Sequence, residues 1–180
     1  SFKGMKIIQL SDIHSGSFTL HAPVQEAIDM ILEQKPDVVF FTGDLVNDRA
    51  DEMEPFMETF SRIEAPYGVF SILGNHDYGD YYAWPTPESK IQNLENLKKV
   101  HKNLGWRLML DEHAYLEKNG ERIGVIGVQN WSNHLRFAKY GSLQKAIDKF
   151  NPAPFNVLLS HDPSHWRAEV IEKHDFIHLT

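Results

Sequence analysis

The sequence of 180 residues contains no cysteine. The fold therefore depends on neither disulfide bonds nor a zinc site built from thiolates, and the cellular compartment is left open. Any metal ion that this chain binds must be held by histidine, aspartate, asparagine and water.

Long hydrophobic runs and an excess of positive charge are also missing. No run approaches the roughly 20 apolar residues that span a bilayer, and residues 1–4 resemble neither a signal peptide nor a natural start. The formal net charge of -7 argues against a nucleic-acid-binding surface, because such a surface needs a basic patch. A nuclease is still allowed, since bound divalent cations would offset an acidic rim. The length fits one domain.

One stretch combines an apolar run with three side chains that can do chemistry. Residues 69–73 are typical of a buried strand, and Asn75, His76 and Asp77 follow closely behind it. In sheets of parallel strands, ligands bind just beyond the carboxyl ends of the strands. The stretch therefore predicts a functional site. The alternative is that Gly74 and Asn75 make a tight turn and Asp77 caps a helix.

The same arrangement recurs at three other predicted strand ends. A strand that is buried on both faces can present only its terminal residues to a shared site, so four such ends would contribute to one rim. The apolar runs 7–10, 38–42 and 157–159 are followed by Asp12 and His14, by Asp44, and by His161 with Asp162.

Taken in order, these segments resemble the calcineurin-like metallophosphoesterase superfamily, whose motifs are D-x-H, GD, GNH[DE] and a lone H. The resemblance runs from about residue 6 to the end. It implies an α/β fold, a four-layer αββα sandwich of two mixed β-sheets flanked by helices. The family's fifth motif, GHxH, is absent, and residues 176–180 resemble the strand that leads to it. We therefore expect residues 1–180 to be a single metallophosphoesterase domain that stops before its last metal-binding motif.

The resemblance also implies a set of metal ligands. It places Asp12, His14 and Asp44 at a first divalent ion and Asp44, Asn75 and His161 at a second, so that Asp44 bridges the two. Nitrogen and oxygen ligands of this kind suit Mn, Fe, Zn or Ni, and ligand type does not choose among them. Two such ions about 3.5 to 4 Å apart would clamp the phosphate and hold a bridging hydroxide for attack.

Two further residues have catalytic roles in the resemblance. His76 would stabilise the transferring phosphoryl group or protonate the leaving oxygen, and Asp77 would set the His76 tautomer through a hydrogen bond. Asp162 is interpreted either as a partner that orients His161 or as the cap of a helix over residues 163–172. The histidines outside the motifs are interpreted as surface or locally bonded residues.

The segments between the motifs predict alternating strands and helices. An aromatic loop, residues 78–87, carries two prolines and no helical period. We hypothesise that it shapes the substrate pocket; the alternative is that its rings only cover the sheet. Helices are predicted over residues 22–34, 52–63, 89–104 and 143–150, and a hairpin is predicted over residues 113–127 with its turn at Asn119 and Gly120.

Two functions from different classes fit these features. The first is two-metal hydrolysis of phosphomonoesters or phosphodiesters, and the second is a metal-dependent interaction module without turnover. His76 favours the enzyme, because metal binding alone does not require it. The motifs indicate the reaction and not the substrate. The acidic charge favours a small phosphoester or a lipid-linked phosphate over a long polyanion.

Three expectations concern the whole protein and its metal affinity. Some relatives carry membrane segments upstream of this domain, so the full-length protein is a candidate for membrane association. Since the missing motif would add one histidine to each site, this piece is expected to bind metal weakly and to hydrolyse phosphoesters poorly. Metal binding should weaken as the pH falls through about 6 to 7, because His14 and His161 must be neutral to coordinate.

Overall fold

The computed structural model describes residues 1–180. Its first sheet consists of short apolar strands that all run in the same direction. The second and third of these strands are buried at every residue, as expected for strands covered on both faces. The carboxyl ends of the strands therefore meet at one edge of the sheet. In spatial order the strands are β1 (Ile7–Leu10), β2 (Val38–Phe41), β3 (Val69–Ser71) and β4 (Arg107–Leu108).

Helical segments connect these parallel strands. α1 (Ala22–Glu33) begins with a proline in its first turn, where no amide donor is needed. A helix was expected over residues 52–63, but a 3₁₀-helix (Ala50–Phe56) and a short α2 (Met57–Ser61) occupy this region. Pro55 lies inside the 3₁₀-helix and has no N–H to donate, which explains why a regular α-helix does not form there. α3 (Pro87–Asn103) follows.

The second sheet contains the predicted hairpin. β5 (Glu112–Lys118) and β6 (Glu121–Gly127) pair antiparallel, and the turn residues Asn119 and Gly120 both have positive φ, as a tight hairpin turn requires. β7 (Phe155–Leu159) pairs parallel with β6. This sheet is therefore mixed, whereas the first sheet is parallel throughout.

The remaining segments are shorter than the sequence predicts. α4 (Leu143–Ala146) is a single turn, and one π-helical turn (Trp166–Val170) lies in the region where a longer helix was expected. The expected strand over residues 176–180 is reduced to one parallel bridge between Leu179 and Val157.

Three hydrophobic clusters separate four layers. One cluster lies between the helices and the first sheet, a second lies between the two sheets, and a third lies between the second sheet and the segments that cover it. This order confirms the predicted αββα sandwich, but the prediction that both sheets are mixed is wrong for the first sheet, whose strands all pair parallel. None of the helices combines the length and the apolarity that a bilayer crossing needs.

Candidate metal centre

The loops that follow β1 and β2 run side by side beyond the ends of their strands. The amide of Asp12 donates to the carbonyl of Gly43 at 3.0 Å, and the amide of His14 donates to the carbonyl of Asp44 at 3.0 Å. Since β3 and β7 also end near this edge, all four predicted motifs meet there.

The backbone at this edge is in an unusual conformation. Asp12, His14 and Asp44 have φ values of 54°, 49° and 59°, in the left-handed region that residues other than glycine seldom adopt. Such residues persist only where surrounding contacts impose the conformation, and they concentrate at functional sites.

Two glycines allow the second and third motifs to approach each other closely. Gly43 has a φ of 103°, and a Cβ atom on it would lie 2.5 Å from the amide nitrogen of Gly74 and 2.9 Å from Nδ1 of His161. A Cβ atom on Gly74 would overlap the carboxylate of Asp44. Any larger residue at either position would push these strand ends apart.

The side chains at the edge form two overlapping groups of potential ligands. His14, Asp44 and His76 form one group, and Asp12, Asp44 and His161 form the other; within each group the ligand atoms lie within 4.8 Å of one another. Asp44 belongs to both. Its Oδ2 lies 3.3 Å from Nε2 of His161 and 3.5 Å from Nε2 of His14.

The structure thus assembles every predicted ligand but groups them differently from the expectation. Asp12 joins the group of His161, although its Oδ1 is also 4.0 Å from Nε2 of His14. The predicted ligand Asn75 places Oδ1 at 3.1 Å from Nε2 of His161. His76, predicted to act on the substrate and not on the metal, lies in the group of His14.

Backbone carbonyls orient two of the imidazoles. Nδ1 of His161 lies 2.8 Å from the carbonyl oxygen of Thr42, and Nδ1 of His76 lies 2.7 Å from that of Asn47. A carbonyl can only accept a hydrogen bond, so Nδ1 carries the proton on each ring. Nε2 of His161 is then available to the cluster, as in metal sites where a second contact fixes the ligand. Sequence reasoning missed both carbonyls, since a backbone atom leaves no signal in the residue pattern.

The charges of Asp44 and His161 depend on each other. Burial opposes both charges, but the contact with His161 holds the pKa of Asp44 below its ordinary value. Burial likewise works to lower the pKa of His161, but the hydrogen bond and charge of Asp44 outweigh it and raise that pKa to about 9. In the metal-free chain the pair is therefore a carboxylate and an imidazolium at neutral pH. The proton on His161 thus offsets the negative charge that a bound cation would otherwise neutralise.

The expected hydrogen bond from Asp77 to His76 is wrong. The His76 ring is bonded to the carbonyl of Asn47, and the fully buried Asp77 carboxylate accepts only backbone amides. Asp77 therefore cannot contact a substrate, and it organises the loops instead. Burial and the charge of Asp44 raise the pKa of Asp77 to about 7, while the amides stabilise its charged form. The donors are the amides of Asp44 at 2.8 Å, Leu45 at 2.9 Å, Val46 at 3.3 Å and Gly74 at 2.9 Å.

Glu52 holds the next three amides of the same loop, and sequence reasoning missed it. Its carboxylate accepts from the amides of Asn47 at 2.6 Å, Asp48 at 3.2 Å and Arg49 at 2.9 Å. Two acidic side chains thus fix six consecutive amides, residues 44–49. The spacing of an acidic residue three positions after Arg49, at the start of a helix, was the available signal.

The hydrogen bond that Asp162 accepts decides between its two interpretations. Its Oδ1 accepts from the amide of Ser164 at 2.7 Å, whereas the Nδ1 of His161 is already bonded to Thr42. Asp162 therefore has the local capping role. The histidines outside the motifs belong to neither ligand group.

One residue of the aromatic loop reaches the site. The Tyr81 hydroxyl accepts from Nδ2 of Asn75 at 2.9 Å, and its ring centroid lies 4.6 Å from that of His76. Tyr78 instead stacks on Tyr140 with centroids 3.6 Å apart and is buried. The loop therefore both borders the site and covers the sheet, through different residues.

Comparisons with known proteins agree on the family. A family model described as calcineurin-like phosphoesterase matches residues 5–177. The chain is 35% identical over 164 residues to the uncharacterised metallophosphoesterase YkuE of Bacillus subtilis, covering 90% of this chain and 52% of that protein. It is 24% identical over 198 residues to the UDP-2,3-diacylglucosamine pyrophosphatase LpxG of Chlamydia trachomatis, covering 89% of this chain and 57% of that protein.

A solved structure, the NAD nucleotidase NadN of Haemophilus influenzae, shares the fold. Its TM-score is 0.60 at 16% identity, covering 96% of this chain and 37% of that chain. The chain spans about half the length of the curated relatives named here.

Proposed function

Because this chain belongs to the calcineurin-like phosphoesterase family, we propose that its strand-end site binds two divalent cations and hydrolyses phosphoesters. The observation that carries the proposal is the position of Asp44, whose buried carboxylate is common to both groups of ligand atoms. A buried carboxylate at the overlap of two such groups could contact a cation on either side, as a two-metal site would need.

The donor atoms fit borderline divalent cations. We assign Asp12, His14, Asp44, Asn75 and His161 as the ligands, and the imidazole nitrogens and oxygens they offer suit Mn, Fe, Zn or Ni. When bound, the cations would supply Lewis-acid polarisation of the phosphate and a more acidic attacking water.

His76 is the residue that we propose acts on the leaving group. Its amide donates to Oδ1 of Asp44 at 2.9 Å, and its Nδ1 is held by the carbonyl of Asn47 at 2.7 Å. Both contacts fix the residue while Nε2 is left without a hydrogen-bond partner. In the protonated form, Nε2 would donate a proton to the departing oxygen. Because His76 also belongs to the His14 group, direct contact with a cation is the alternative role.

For the substrate we propose a small or lipid-linked phosphoester. LpxG is named as a UDP-2,3-diacylglucosamine pyrophosphatase, and its similarity to this chain supports the lipid-linked class. The net charge of -7 works against a long polyanion. Duplex nucleic acid as the sole hydrolysed substrate would refute this choice.

The test compares, in the full-length protein, His76→Ala with His134→Ala, which removes an exposed imidazole outside both ligand groups. Metal content is measured first, followed by hydrolysis of a panel of monoesters, diesters, nucleotides and lipid phosphates. We expect the His76 variant to bind cations and to lose about 100-fold or more in kcat, while the His134 variant matches wild type. Equal rates for all three proteins would refute the role of His76. Stoichiometric metal with no turnover of any phosphoester would favour the interaction module instead.

A further inference from the structure

Tyr81 lies at the rim of the proposed metal centre and contacts two of its side chains. The residue is 51% exposed, so packing against a core does not account for its position. Its backbone amide donates to Oδ1 of Asp48 at 3.1 Å, which ties the aromatic loop to the segment that follows β2. The side chain is thereby directed at Asn75 and His76.

The hydroxyl of Tyr81 contacts the Asn75 amide and affects which way that amide faces. Only Oδ1 of an asparagine can coordinate a cation, so Nδ2 must then find a hydrogen-bond acceptor elsewhere. The Tyr81 hydroxyl oxygen, 2.9 Å from Nδ2, is its partner, while Oδ1 faces Nε2 of His161 at 3.1 Å. Without this hydroxyl, an amide whose oxygen faces a cation would leave its NH₂ group without a partner in the protein.

The ring of Tyr81 bears on His76. The two centroids lie 4.6 Å apart at 47°, and His14 contacts the His76 imidazole at 4.8 Å and 90°. Together with the bond from Nδ1 to Asn47, these two rings leave the imidazole little room to rotate. A fixed ring keeps Nε2 in one direction.

We propose that Tyr81 is a positioning residue, whose hydroxyl holds the Asn75 amide with its oxygen toward the cation and whose ring fixes the His76 imidazole. This inference rests on the proposed function, because it assumes that Asn75 is a ligand and that His76 acts on the substrate. The effect of the hydroxyl on Asn75 and the effect of the ring on His76 can be tested separately, because Tyr81→Phe removes the hydroxyl and keeps the ring.

The neighbouring Tyr82 supplies a matched control. It lies on the same loop, is 41% exposed, and packs against Trp84 at 4.8 Å between centroids and against the Arg49 guanidinium at 5.6 Å. It makes no hydrogen bond to Asn75 and no ring contact with His76. Any general effect of changing an exposed tyrosine on this loop should therefore appear in Tyr82→Phe and Tyr82→Ala as well as in the Tyr81 variants.

The first measurement is calorimetric titration of the full-length protein and its variants with Mn²⁺ or Zn²⁺ in the absence of substrate. We expect Tyr81→Phe to weaken the binding of one cation about 10-fold, within the range found when a partner of a ligand is removed. Tyr82→Phe should bind both cations as wild type does. In an Asn75→Ala background, Tyr81→Phe should cause no further loss, because the amide that it positions is gone.

The second measurement is steady-state hydrolysis at saturating metal. We expect kcat to fall more for Tyr81→Ala than for Tyr81→Phe, with little change in KM, because only the alanine variant frees the His76 ring. Thermal unfolding of each variant checks that the fold is intact.

The outcomes distinguish this inference from the proposed function. Wild-type affinity for both cations in Tyr81→Phe, or an equal loss with and without Asn75, would overturn the positioning role whatever the activity. Full-length wild-type protein that binds two cations but hydrolyses no phosphoester would refute the proposed function alone, because the affinity measurements need no turnover.

Discussion

Metal binding at this site should compete with a single proton on His161. The contact with Asp44 overcomes the opposing effect of burial and raises the pKa of the metal-free imidazole to about 9. A proton on Nε2 blocks coordination. At pH 7, two units below that pKa, about 1% of the metal-free chains would carry a neutral His161, so apparent affinity should lie about 100-fold below its high-pH limit.

The raised pKa also moves the pH range expected from the sequence. The ordinary imidazole range predicts that binding weakens below about pH 6 to 7, whereas His161 extends the dependence up to about 9. Between pH 6 and 8.5, each unit should change the apparent affinity about tenfold. The stability of the metal-free chain should depend on pH in the opposite direction. Stabilisation from the ion pair is fully present below the ordinary pKa of 6.5 and is lost as the pH rises through about 9.

Calorimetry in two buffers of different ionisation enthalpy measures the released protons directly. At pH 7 we expect about one proton to be released by His161 when the cation enters its site. His161→Gln should abolish that release and flatten the pH dependence, whereas His134→Gln, at an exposed position outside the site, should leave both unchanged. Metal binding at pH 7 without proton release, or an affinity independent of pH from 6 to 8.5, would refute the argument.

Two further predictions concern the loops that hold the site. Asp77→Ala would leave four backbone amides without their acceptor, so urea denaturation should show that the free energy of unfolding falls by about 3 kcal/mol or more. Asp51→Ala, at an exposed carboxylate, should lower it by well under 1 kcal/mol. Equal losses for the two variants would contradict the scaffold role of Asp77. Gly43→Ala should abolish metal binding and destabilise the fold, because the added Cβ meets Gly74 as well as an unfavourable φ. Gly68→Ala, where φ is 88° and no atom lies within 4 Å of the added Cβ, isolates the conformational cost of about 1 to 2 kcal/mol. A Gly43 variant no worse than the Gly68 variant would show that close approach is unimportant.

The sequence by itself determined which residues meet at the site. Each predicted ligand follows an apolar run, and parallel strands that are buried on both faces can place only their ends at a common edge. The pattern therefore predicted that Asp12, His14, Asp44, Asn75 and His161 lie near one edge, and the resemblance to the family implied that these five are the metal ligands. The alternation of apolar runs and helical periods predicted the order of strands and helices, and the resemblance to the family implied the αββα layering.

Only the tertiary structure decided what several of these residues contact. Asp77 and His76 are adjacent in sequence, which favoured a bond between them, yet Asp77 accepts amides from residues more than 30 positions away. The carbonyls of Thr42 and Asn47 set the imidazole tautomers, and every residue type has a carbonyl. The pKa of His161 likewise depends on a distance of 3.3 Å to Asp44 across 117 positions of chain. Residue patterns specify which groups reach an edge, because strand periodicity is local; hydrogen-bond partners and electrostatic shifts depend on distances between segments, which only packing fixes.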